Sequence, residues 1–173
     1  MDKINFQDLP NTSTPINSNN LNQMQTNIEN AITKNIICAR NASENITTTA
    51  ESQEVFVPLS IIVAQQGNKF TLNNDGSITV GEGVTQIEAS FMTSMQITSS
   101  GQTYQEFRIT KNGNKIGGGI QIRISDRLNI ATPITHNPVP IDVQEGDIIA
   151  AKVFNRLAGS MTLMYSQLYI KEI

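Results

Sequence analysis

The sequence predicts a mainly β protein, an antiparallel jelly-roll β-sandwich head preceded by a tether and one short helix. Three observations predict it. From about residue 55 onward, short apolar runs follow one another with turn signals between them: VFVPLSIIVA, FTL, SITV, TQIEASFMTSMQIT, YQEFRIT, GIQIRIS, DIIAAKVFN and SQLYIKEI. Within TQIEASFMTSMQIT, Ile87, Ala89, Phe91, Met95 and Ile97 share one parity while Glu88, Ser90, Ser94 and Gln96 share the other. That alternation places one strand face in a core. A helical period occurs only near the N-terminus, before the first of these runs.

The chain divides into three parts in order. Residues 1–34 open with a tether in which Pro10 and Pro15 flank NTST and keep it extended or turned. Ser18 is a good N-cap for a helix starting near Asn19. Leu21, Met24, Ile28 and Ala31 then recur at three- and four-residue spacing on an otherwise polar, asparagine-rich helix. A helix of about 15 residues is marginal alone, and Asn weakens it further, so something must pack on that narrow stripe. Its heptad-like spacing suits copies of itself or a groove on a neighbouring protein, and the alternative is a helix lying on the chain's own sheets. Leu21, Met24 and Ile28 are therefore candidate docking or trimerisation residues.

Residues 35–54 read as a connector, partly helical at most, because apart from Ile36 and Ile37 no apolar period is sustained. Residues 55–173 form the head. Ile120, Ile122 and Ile124 alternate with Gln121 and Arg123, marking another half-buried strand. Asn74-Asp75-Gly76 and Asn112-Gly113 supply the positive φ angles of tight hairpins, and Gln144-Glu145-Gly146-Asp147 and Ala158-Gly159-Ser160 mark two more reversals. About eight strands with no helix among them indicate the sandwich.

Composition excludes several functions. A net charge of -3 with 12 Lys+Arg and no basic run leaves no electrostatic footprint for nucleic acid. No apolar run reaches the roughly 18 residues of a membrane span, and the N-terminus lacks the layout of a secretory signal, so the chain is expected to be made in, and to stay initially in, the cytoplasm of its producer. Without that signal, the glycosylation-like Asn41-Ala-Ser43 and Asn45-Ile-Thr47 are chance matches. The single Cys38 rules out an internal disulfide and a thiolate-rich zinc site.

Chemistry is scarce. Nucleophilic catalysis needs a nucleophile beside a base, yet the only His and the only Cys fall in different parts of the chain. His136, within TPITHNPVP, is expected in an exposed loop. Asp75, Asp126, Glu145 and Asp147 fall at turns, and no spacing pairs them as the two carboxylates of glycoside cleavage. Gly117-Gly118-Gly119 precedes a strand rather than a helix, so a bulge or a close backbone approach is expected there instead of a phosphate cradle. The expectation is a protein that is not an enzyme and needs no cofactor or metal.

Two resemblances add to this reading. PINSNNLNQMQTNIENAI resembles the N-terminal segment of tail and baseplate proteins of bacteriophages infecting Gram-positive hosts, which implies attachment to a phage tail or baseplate. FTLNNDGSITVGEGVTQIEASFMTSM, with GDIIAAKVFN and a closing SQLYIKEI, resembles the early and late strands of tumour-necrosis-factor-like and complement-head jelly rolls. That likeness implies a compact homotrimer packed around a threefold axis, although the aromatic richness and collagen-like stalk of many such proteins are missing. Together they imply a virion protein of the tail tip or baseplate, a receptor-binding type whose head binds host cell-wall polysaccharide. Tyr104, Asn112, Asn114, Asp126, Arg127, His136 and Asn137, in or near predicted loops, offer donors and acceptors for such a saccharide. The rival expectation is a decoration protein of the tail or baseplate that binds only other virion proteins, and a third is a bacterial or spore-surface protein with the same head.

Overall fold

A computed structural model describes residues 18–32, 34–41, 44–48, 54–97, 103–124, 131–157 and 159–173. The chain forms two compact units, residues 1–34 and 35–173. In the first, helix α1 (Ser18–Ile32) starts at the expected cap. Met24 and Ile28, on the apolar stripe, are each 55% exposed. The extended tether expected over residues 1–17 lies outside the described residues.

The second unit is a sandwich of two antiparallel sheets. In chain order its strands are β1 (Ile36–Arg40), β2 (Glu44–Thr48), β3 (Glu54–Phe56), β4 (Ile61–Gln66), β5 (Phe70–Leu72), β6 (Ile78–Val80), β7 (Gln86–Ile97), β8 (Thr103–Lys111), β9 (Asn114–Ile124), β10 (Ala131–Asp142), β11 (Ile148–Leu157) and β12 (Gly159–Glu172). The first sheet runs β10-β7-β12-β1-β4, with β2 also on β12; the second runs β5-β6-β11-β8-β9, with β3 also on β11. Strands adjacent in space are mostly distant in sequence, as a jelly roll requires.

The core follows the predicted alternation. Ile87, Ala89, Phe91 and Met95 of β7 are all buried, and from the other sheet Phe107 and Ile109 of β8 and Ile149, Ala151 and Val153 of β11 face them. The Phe91 and Phe107 rings stack with centroids 6.3 Å apart, joining the two layers at the middle. A buried polar knot sits in the first sheet: Asn41 donates from Nδ2 to the Leu163 carbonyl at 3.2 Å and accepts the Ser166 N–H at 2.6 Å, while the Ser166 and Thr93 hydroxyls share a 2.7 Å bond. Each group is paired, as burial demands.

The turns form as their residues dictate. Asn112 and Gly113 have φ of 51° and 80°, the mirror-image turn that joins β8 to β9 with two residues. Gly76 and Gly146 also adopt positive φ at the two turns read from sequence. Gly117, Gly118 and Gly119 lie where the β8–β9 register jumps from Phe107↔Ile120 to Ile109↔Ile116, so the glycine run is the expected bulge.

Three expectations are corrected. Residues 35–54 are not merely a connector, since they contain β1 and β2 and the first residue of β3. β1 lies between β12 and β4, buries Ile37 and Ala39 in the core and has Cys38 covered on its other side, so it shows no alternation. VFVPLSIIVA is two strands in different sheets: β3 pairs with β11, the chain crosses at residues 57–60 around Pro58, and β4 pairs with β1. Finally, TPITHNPVP is no exposed loop. It lies inside β10, where His136 is 5% exposed. β10 is an edge strand, so its prolines forfeit no ladder on the open side, and a bulge between His136 and Val139 absorbs Asn137-Pro138.

Candidate functional site

In an antiparallel pair, directly opposed residues share a face, so the register maps the outer face of the first sheet. One row across it runs Thr135, Met92, Gln167, Arg40 and Ile61; the next runs Ser90, Tyr169, Cys38 and Ala64. A bulge between Leu163 and Tyr165 in β12 leaves Met164 and Tyr165 both exposed. Met92 is 42% and Tyr165 38% exposed, and at the sheet's edge Ile61, Ile62 and Val63 are exposed in succession. Ile62 opposes the core residue Ala39 and so lies on the inner side of this edge, whereas Met92, Tyr165 and Ile61 are exposed apolar side chains of the outer face, which favour an interaction surface there. Between the rows lies a hollow of about 130 Å³ lined by Ser90, Met92, Thr135, Pro138, Gln167 and Tyr169 together with Phe91 and His136.

The outer face of the second sheet differs in kind. Glu106 of β8 is fully buried and accepts from Arg108 Nε at 2.9 Å and Nη2 at 3.1 Å, from Lys115 Nζ at 2.6 Å and from Gln121 Nε2 at 3.3 Å. Gly119 makes room for that carboxylate, since a Cβ there would stand 2.3 Å from Glu106 Oε1. Arg108 also reaches Glu54 at 3.5 Å and lies 3.9 Å over the Phe154 ring; Lys152 bonds Glu54 at 2.9 Å and lies 4.5 Å over the Phe56 ring. Charges so interlocked with carboxylates and rings make a stiff, polar, aromatic plate.

The saccharide candidates are not gathered into one site. Tyr104 lies in β8 rather than a loop, and its hydroxyl donates to Gln121 Oε1. Asn112 sits in the turn as expected, but its side chain is used internally: Nδ2 donates to Asp147 Oδ1 at 2.6 Å and Oδ1 accepts the Ile148 N–H at 2.8 Å. Asn114 is the first residue of β9 and is exposed. His136 and Asn137 lie in β10, on the edge of the other sheet. Asp126 and Arg127 lie outside the described residues. Sequence reasoning missed Glu106, Arg108, Lys152 and the outer-face rows; the same-parity pattern Glu106, Arg108, Thr110 in YQEFRIT is the signal that could have found the plate.

Burial by itself would raise the Asp147 carboxyl, but the Asn112 amide, the Gln144 N–H and Lys111 outweigh it and hold it below the usual carboxylate range. Bonds from the Ser77 hydroxyl and N–H lower Asp75 in the same way. Burial pushes the Cys38 thiol up, against a hydrogen bond with Gln167, which keeps it a thiol and a poor nucleophile. Among the described residues no three His, Cys, Asp or Glu side chains gather as a metal site, and no helix is long and apolar enough to cross a membrane.

No protein-family model matches the chain, and no curated protein matches it in sequence. Solved structures do match in fold. Murine APRIL at pH 8.0 is 16% identical with a TM-score of 0.52, covering 81% of this chain and 99% of its own. Eiger TNF from S. frugiperda is 13% identical with a TM-score of 0.50, covering 80% and 93%. The PRD1 vertex protein P5 is 15% identical with a TM-score of 0.55, covering 82% and 98%. The head therefore has the tumour-necrosis-factor-like jelly-roll fold, and fold alone assigns no activity.

Proposed function

We propose that this chain is a structural protein of a bacteriophage virion, a homotrimer of the tail tip or baseplate whose N-terminal helix seats it and whose β heads face outward. The observation that carries the reading is the outer face of the first sheet, where Met92, Tyr165 and Ile61 are exposed, with Met164 exposed in the β12 bulge. Three copies meeting through this face would cover it, and three α1 stripes brought together would cover Leu21, Met24 and Ile28. The likeness in fold to a protein named as the PRD1 vertex protein P5 supports a place in a virion, and the tail-like N-terminal segment supports the tail or baseplate.

In such a trimer the plate around Phe56, Tyr104, Arg108 and Gln121 on the second sheet would stay accessible. Host cell-surface saccharide is the partner its exposed ring and amide suit. The rival, a decoration protein that binds only other virion proteins, is favoured by one observation: Asn112 and His136 bond internally rather than offering their polar atoms to a ligand.

Light scattering on the full chain tests assembly. A mass near three times the 19.0 kDa protomer, lost in a Met92→Asp/Tyr165→Asp variant that keeps its β-sheet circular dichroism, supports the proposed face. A monomeric parent chain, or a trimer indifferent to those changes, overturns it. Co-sedimentation with purified host cell walls then separates the two readings, since only the receptor reading requires binding.

A further inference from the structure

His136 is a buried titratable group that neither the assembly face nor the plate uses. Its two ring nitrogens both face carbonyl oxygens: Nε2 is 2.6 Å from the oxygen of Gly118, and Nδ1 is 2.9 Å from that of Asn137. A carbonyl only accepts, and a neutral imidazole has one N–H, so one ring nitrogen would otherwise point a lone pair at an acceptor. Only the imidazolium supplies two donors. The placement joins the two layers: β10 is an edge of the first sheet and pairs only with β7, β9 is an edge of the second and pairs only with β8 among the described residues, and the Gly118 bond spans the seam between them. The glycine bulge brings the β9 backbone to the ring, with Gly117 at φ +63° close against Val139.

Other titratable groups lie on the surrounding elements. Asp142 shares β10, Glu88 lies on β7, Lys115 on β9, Tyr169 and Lys171 on β12, Cys38 on β1, and the Glu106 carboxylate sits beneath Gly119. The ring's own hydrogen-bond partners are the two carbonyls.

We propose that His136 is a proton-operated clasp: its doubly protonated ring ties β9 to β10 and closes the side of the sandwich beside the hollow, and loss of one ring proton to water removes one of the two ring–carbonyl bonds and loosens that seam. The bond made and lost is a charge-assisted hydrogen bond, and the proton goes to solvent. Hydrogen exchange of the full chain, read by mass spectrometry on peptides from β9 and β10, tests this. Protection across the seam, corrected for intrinsic exchange, is about tenfold lower on the alkaline side of neutrality than on the acid side in the parent chain. The same segments stay unchanged in His136→Gln, which has no ring to titrate. Equal pH dependence in the two proteins overturns the clasp. Ring ¹⁵N spectra of the unmodified chain decide independently of the variant's folding: two bound N–H protons at the acid end support it, and a ring with one N–H at both ends overturns it.

Discussion

Gly119→Ala is the sharpest probe of the buried carboxylate. Gly119 does not need a positive φ, so alanine is permitted by the backbone and the effect is steric alone. The new Cβ would stand 2.3 Å from Glu106 Oε1, 2.7 Å from Cγ and 2.8 Å from Cδ, all closer than contact allows. Elsewhere a carboxylate would swing aside, but here moving it breaks the two-pronged Arg108 contact and the Lys115 bond. Charge-assisted bonds contribute about 1.5–3 kcal/mol each, and severing a buried pair costs about 3–5 kcal/mol. Arg108 keeps Glu54 at 3.5 Å and Lys115 is 35% exposed, so both cations recover part of the loss. The expected destabilisation is about 3 kcal/mol, near the low end of that range. Urea unfolding at fixed protomer concentration measures it, because assembly would make the midpoint concentration-dependent. In a Glu106→Ala background the same Gly119→Ala change should fall within about 1 kcal/mol of neutral, since the obstacle is gone and alanine suits a strand better than glycine. A cost below about 1 kcal/mol in the parent, or an equal cost in both backgrounds, would show that the carboxylate is free to move and would refute the reasoning.

Three further outcomes are expected. Asn41→Ala strips partners from the buried Ser166 N–H and Leu163 carbonyl and should destabilise the head by about 2–4 kcal/mol in chemical denaturation. Because Asp147 and Asp75 sit below the usual carboxylate range, their contributions are present above the unfolded value of about 3.9 and are lost as pH falls through their folded values. Asp147→Asn should flatten the decline in thermal midpoint on the acid side of pH 4, and an unchanged slope would count against its network. Replacing Leu21, Met24 and Ile28 with Ser should loosen assembly in light scattering while the β-sheet signal survives; loss of that signal would mean the stripe covers the head's core.

Much of the fold was legible because its signals are local. The same-parity apolar residues of β7 must share a face whatever surrounds them, and Asn112-Gly113 carries the backbone angles of its hairpin in its own chemistry. The helix cap and stripe are equally local. Where packing outweighs pattern, the sequence was silent. β1 lacks alternation because both of its faces are covered, the break between β3 and β4 is a change of sheet at Pro58, and the prolines around His136 read as a loop because nothing local says that β10 is an edge.

The candidate surfaces divide in the same way. Local patterns in the chain were enough to place it among β sandwiches with an apolar-striped helix. Which residues meet depends on the packed sandwich. It put Met92, Gln167, Arg40 and Ile61 in one row from four strands, and Glu54, Glu106, Arg108 and Lys152 in one network from three. It set His136 between the edges of two sheets 18 residues apart in the chain from the carbonyl it binds. Periodicity tells which way a side chain points, whereas strand order and register, fixed by burial across the whole sandwich, decide what it points at.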